Sequence, residues 1–286
     1  MPRERLDGVQ ITDLDGFHAI VPYVMPKRTE AEACSTETFD VTELCAYLKR
    51  RNEAEGTNLK LFHAFCTAVA RTIYHRPKMN IFISGKRFWQ RKDITLSFVA
   101  KKKFEDSSEE ALMFIKVTPD MTIDAISRMI IGDVQSVRSG GTNDVGDNLD
   151  FFAKLPRFVL EIVFFVLHRL EYHGIMPASL MSGDPNYSTV LLSNLGSIGA
   201  GAPYHHLSNY GTCSIMITIG TMHREKKIMP DGTEEERILL DATFTIDERI
   251  ADGFYFAKSL RIARYLLEHP SAMEETIETP VPVDVS

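Results

Sequence analysis

The residue pattern predicts an α/β (α+β) two-layer fold, a mixed β-sheet covered by helices. Three observations lead there. Helical and alternating apolar patterns interleave over the first 137 residues, apolar β-rich runs dominate from residue 189, and one last helical pattern closes the chain. The 286 residues are 44% hydrophobic and 25% charged, the balance of an ordinary globular protein with material for a sizeable core.

Residues 1–38 show no clear period and read as an extended arm, with a short strand or helix around 17–23. Asp40 followed by Glu43 resembles a capping box, opening an amphipathic surface helix with Val41, Leu44, Cys45 and Leu48 on one face and Gly56 at its end. A more deeply buried helix over 60–75 carries Leu61, Phe62, Phe65, Val69 and Ile73, and Pro77 stops it. Residues 79–83 and 86–90 read as a hairpin turning at Ser84-Gly85, followed by strands over 94–100 and 112–118. Helical spacing returns over 122–137, and the glycine-rich stretch 139–146 breaks it. That stretch follows a helix and lacks a Lys-Ser/Thr ending, so it is no phosphate cradle. A long helix over 149–173 contains Pro156 near its start and ends at Gly174; its apolar density predicts a core helix. The runs 190–193, 213–220 and 238–246 predict strands, the last two joined by an excursion through Pro230-Asp-Gly232.

The stretch 241–258 reads as a buried strand, a tight polar turn and a helix start, with Asp252 as N-cap of a helix running to about 268, where His269-Pro270 stops it. Asp247, Glu248, Arg249 and Asp252 crowd four charges between apolar neighbours. A net charge of −7 and a pI near 5.7 argue against nucleic acid or an anionic membrane as partner. The four cysteines show no metal-ligand spacing, so no metal is implied; they read as reduced core thiols of a cytoplasmic protein. The N-terminus has no signal-peptide apolar region.

Asp-Glu-Arg-Ile-Ala-Asp-Gly at 247–253 resembles the signature of the chloramphenicol acetyltransferase and dihydrolipoamide acyltransferase superfamily, in which a histidine precedes Asp-Gly by four residues. Asp252 and Gly253 match that motif, and Glu248 stands at the histidine. The stretches Phe39-Asp-Val-Thr-Glu-Leu44 and Val190-Leu-Leu-Ser-Asn-Leu-Gly-Ser-Ile-Gly199 carry the rest of the likeness. It implies an acyltransferase-like domain over 21–280, with an arm over 1–20 and a tail over 281–286, assembled as a homotrimer with active sites between subunits. It also implies acyl transfer between coenzyme A and a small thiol or hydroxyl acceptor, without a covalent lipoyl group, and a second reading as a catalytically silent trimeric scaffold. A third reading, the core of a 2-oxo acid dehydrogenase complex, expects lipoyl and subunit-binding domains ahead of the matching region.

The resemblance puts Ser193 at the hydroxyl that steadies the oxyanion, and pairs Asp252 with an N-terminal arginine, for which Arg28 is the candidate and Arg249 the rival. Glutamate is a weak base beside imidazole. A relocated base is available in His205 and His206 of Tyr204-His-His-Leu-Ser-Asn-Tyr210. The alternating signs in Ile246-Asp-Glu-Arg-Ile250 suggest that Glu248 is settled in an ion pair, with Arg249 as the obvious partner.

Overall fold

The computed structural model describes residues 3–101, 110–138, 154–228, 230 and 232–284. Among them, a six-stranded mixed sheet is built from β2 (Glu32–Asp40), β5 (Ile94–Lys101), β6 (Glu110–Val117), β7 (Val190–Asn194), β8 (Ile215–Ile228) and β9 (Glu234–Asp247). Its order is β2-β9-β8-β7-β5-β6. β7 lies parallel to both β5 and β8, and the other neighbours are antiparallel. A smaller antiparallel sheet has the order β1-β4-β3, from β1 (Gly8–Gln10), β3 (Ile81–Ser84) and β4 (Arg87–Arg91).

Alternation divides the large sheet into an apolar face and a hydroxyl-bearing one. Leu192, Ile217, Ile219, Phe244 and Phe39 point to one side and are buried under α2 (Thr42–Glu55), α3 (Leu61–His75), α4 (Ile123–Arg138) and α7 (Gly253–Glu268). The other face carries hydroxyls in lateral register: Ser193 beside Thr218, Thr218 beside Thr243, and Thr243 beside Thr36. Three further helices are α1 (Gly16–Val24), α5 (Arg157–His173) and the short α6 (Ala178–Met181).

Several expectations change. Asp40 accepts from the Thr42 N–H and hydroxyl, so no capping box with Glu43 forms at α2. The β3–β4 turn is Gly85-Lys86, one residue later than expected, with φ of 59° and 60°. Both central residues are left-handed, as a type I′ turn requires. Residues 79 and 80 belong to a single 3-10 turn (Pro77–Asn80) and not to β3. α5 starts after Pro156, and Leu167 alone in it is buried, so it is no core helix. Its apolar residues lie on two opposite sides, and only one of them meets the body. Cys66 and Cys213 are buried thiols, whereas Cys34 is exposed on β2, an edge strand. The glycine-rich stretch 139–146, residues 149–153 and Asp231 lie outside the described residues. Among the described residues no helix is long and apolar enough to cross a membrane, and no three potential metal ligands gather.

Candidate active site

The polar turn after β9 is anchored from all sides. Asp247 is fully buried and accepts two hydrogen bonds from the Arg249 guanidinium, Nε at 2.7 Å and Nη2 at 2.6 Å, while Arg28 Nε lies 3.8 Å from the oxygen that Nη2 meets. Arg249 Nη1 donates to the Met25 carbonyl at 2.6 Å, and the Glu248 N–H donates to the Ala31 carbonyl at 2.8 Å. Burial pushes the Arg28 guanidinium below its ordinary value, and Asp247 pulls it back. Removing these charges from water is costly, and the bidentate pair is the geometry that repays most of it.

The expected partner was wrong. Arg28 and Arg249 hold Asp247, whose side chain ends the strand inside the body, and not Asp252, which lies beyond the turn. Asp252 caps α7 instead, accepting from the Tyr255 N–H at 2.7 Å, as the sequence predicts. The expected ion pair of Glu248 does not form either. Arg249 is saturated by Asp247, and the exposed Glu248 carboxylate makes no hydrogen bond or ion pair among the described residues.

Ser193 is half-buried at the end of β7. Its lateral neighbour Thr218 is 2% exposed, and among the described residues the Thr218 hydroxyl has no hydrogen-bond partner. A buried hydroxyl left unpaired costs about 1–3 kcal/mol, so this pair marks a place where an acceptor atom would be welcome. Sequence inspection missed Thr218: a threonine in a strand is ordinary, and only the register sets it beside Ser193.

From β7 the chain crosses the hydroxyl-bearing face almost strand by strand. A Cβ on Gly196 would sit 2.2 Å from the Gly220 carbonyl oxygen, and one on Gly220 would sit 2.8 Å from the Ala202 nitrogen, so this close approach needs both glycines. Next, Thr243 donates to the Pro203 carbonyl at 2.8 Å and the Tyr204 hydroxyl meets Thr36 at 2.8 Å. The Leu207 N–H donates to Glu32, the residue paired with Asp247 across β2 and β9. Arg28 then donates to the Ser208 and Gly211 carbonyls. His205 and His206 are thereby held, exposed, on a strap tied to the segment that supports the Glu248 turn. Each ring places Nδ1 against a backbone carbonyl, at 2.9 Å for His205 and 3.1 Å for His206. A carbonyl only accepts, so Nδ1 carries the hydrogen and Nε2 of the neutral ring keeps its lone pair.

Within one chain these parts do not converge. From Thr243, two strands from Ser193, β9 runs on to the Glu248 turn; at ordinary strand spacings Ser193 and Glu248 are roughly 19 Å apart. No single acyl group spans that. Beside the turn opens a cavity of about 390 Å³, lined by Arg28, Ser84, His168, Glu171, Tyr172 and Arg249 among others.

Comparison with known proteins gives the architecture a context. No family model matches the chain. The lipoamide acyltransferase component of the branched-chain alpha-keto acid dehydrogenase complex of Bacillus subtilis is 24% identical over 251 residues, which are 85% of this chain and 48% of that protein. The chain thus spans about half the length of this curated relative. A probable dihydrolipoamide acetyltransferase from Listeria monocytogenes superposes with a TM-score of 0.60 at 18% identity, covering 92% of this chain and 95% of that one. The dihydrolipoamide acetyltransferase of Azotobacter vinelandii gives 0.59 at 15%, over 93% and 94%. A chloramphenicol acetyltransferase gives 0.54 at 14%, over 90% and 99%.

Proposed function

We propose that this chain, which has the fold shared by dihydrolipoamide acyltransferase catalytic domains and chloramphenicol acetyltransferase, transfers an acyl group between coenzyme A and a small thiol or hydroxyl acceptor at a site formed between copies of itself. The observation that carries the reading is the pairing of Ser193 with the unpartnered Thr218 hydroxyl at the end of β7. The fold supports it, as does the Azotobacter vinelandii relative, whose catalytic mechanism has been investigated through one serine, one histidine and one asparagine. The separation of Ser193 from the Glu248 turn supports a homotrimer, in which one subunit supplies the hydroxyls and its neighbour the base.

In this reading, a base takes the proton of the acceptor as its sulfur or oxygen attacks the thioester carbonyl. The Ser193 hydroxyl donates to the oxyanion, with Thr218 beside it. When the tetrahedral intermediate collapses, the carbon–sulfur bond to coenzyme A breaks and the departing thiolate recovers the proton from the base. The exposed His205 and His206 each offer an Nε2 lone pair for this step. Glu248 stands exposed where the family motif has its histidine, and is the competing base. Asp252 and Gly253 shape the turn, and Arg28 and Arg249 fix it through Asp247.

Complementation tests the reading. Ser193→Ala should lower acetyl transfer from acetyl-coenzyme A by about 10²–10³-fold, and a double replacement of His205 and His206 by glutamine should lower it by about 10²-fold or more. Mixed oligomers of the two variants should recover about one quarter of the parent rate, because at random one interface in four joins an intact Ser193 to an intact histidine strap. Loss with Glu248→Gln and none with the histidine variant would move the base to Glu248. No coenzyme A-dependent transfer by the parent chain to any thiol or hydroxyl would end the reading.

A further inference from the structure

We propose that the outer face of α5 is an interface with a second copy of this chain, two α5 helices packing antiparallel about a two-fold axis near Phe165. The inner side of α5 is accounted for: Val163, Leu167 and Leu170 pack with Met176, Met181 and Tyr187. The outer side is apolar as well. Phe158 and Phe165 are each 66% exposed and Ile162 is 59% exposed, with Val166, Tyr172 and Ile175 exposed around them. A surface helix normally turns charge to water on that side; a second apolar side points to a partner that covers it.

The spacing says what kind of partner fits. Residues 158, 162, 165, 169 and 172 recur at alternating intervals of four and three, which lays one seam along the helix for another helix to pack against. At 17 residues, α5 offers a seam roughly 25 Å long.

The charges select a second copy over lipid. Arg169 sits in the seam and Glu161 at its margin, and neither has an ion-pair partner among the described residues. A bilayer would offer phosphate to Arg169 but no partner for the Glu161 carboxylate, and the formal charge of −7 gives no attraction to an anionic one. Both residues lie four positions from Phe165, on opposite sides. An antiparallel pair centred there sets Glu161 of each chain toward Arg169 of the partner subunit, and the contact occurs twice, as in any isologous interface. This pairing does not depend on the acyltransferase reading, and its residues lie outside the groups assigned to that chemistry.

Charge exchange on the full chain tests it by sedimentation velocity. Glu161→Arg or Arg169→Glu alone should raise the dissociation constant of the α5-mediated step at least about tenfold, the double exchange should return it to within about threefold of the parent, and Phe165→Glu should abolish the step. Circular dichroism melts confirm that each variant is folded. Failure of the double exchange to restore what the single exchanges lose would overturn the proposal, as would a parent mass unaffected by every one of them. So would Phe165-dependent binding to phosphatidylcholine–phosphatidylserine vesicles at unchanged mass, since the occupant would then be lipid.

Discussion

Asp247 shows how much one side chain can decide. It is fully buried against two arginines, so replacing it by asparagine leaves two buried cations short of their counter-charge. The expected cost is about 3–5 kcal/mol, read as a lowered denaturation midpoint in urea with unchanged slope. His63 makes a second residue-scale prediction. Burial, with Lys60 adding to it, holds the ring neutral and lowers its pKa to about 4, and Nδ1 accepts from the Lys60 N–H at 3.3 Å while lying 2.8 Å from the Ser127 hydroxyl. In the unfolded chain the ring titrates near 6.5. As pH falls from about 6.5 toward 4 the unfolded state therefore binds the proton first, and stability is lost across that window and kept above it. Thermal melts of His63→Gln, which keeps an acceptor for both partners, should show a flatter decline over the same range.

At the scale of the element, α7 and the turn before it have separate supports. Asp252 serves the helix through its cap, and Asp247 serves the turn through the arginines. Asp252→Ala should cost about 1 kcal/mol, whereas Asp252→Asn keeps a capping oxygen and should cost little. A loss of acyl transfer in Asp252→Asn at unchanged melting temperature would instead place Asp252 in the chemistry. The strap from residue 196 to 211 is an element of another kind, with no regular structure over most of its length. Its order comes from the hydroxyls and glycines it crosses and from Arg28 at its far end.

For the whole molecule the decisive quantity is the number of chains. In the proposed reading a site divided between Ser193 and the Glu248 turn requires neighbours, and the proposed α5 contact would join such assemblies. Light scattering separates the two levels: the Phe165→Glu chain should weigh three times 32.3 kDa, and the parent a multiple of that. A stable monomer of the variant at micromolar concentration would remove the interface site while leaving the α5 test intact.

The sequence by itself determined the two-layer class, the buried α3, the strands β5, β8 and β9, and the Asp252 cap, because each is written in local periodicity or in a residue whose side chain bonds its own neighbours. It also singled out Ser193, Glu248 and the histidine pair as residues to watch. Only the tertiary structure decided that Arg28 and Arg249 meet Asp247, that Thr218 stands beside Ser193, and that α5 turns an apolar face outward. Those contacts join Arg28 to Asp247 across 219 positions and Ser193 to Thr218 across 25, and the register of strands and the direction of each side chain, which no local pattern encodes, select among several charges and hydroxyls of equal promise.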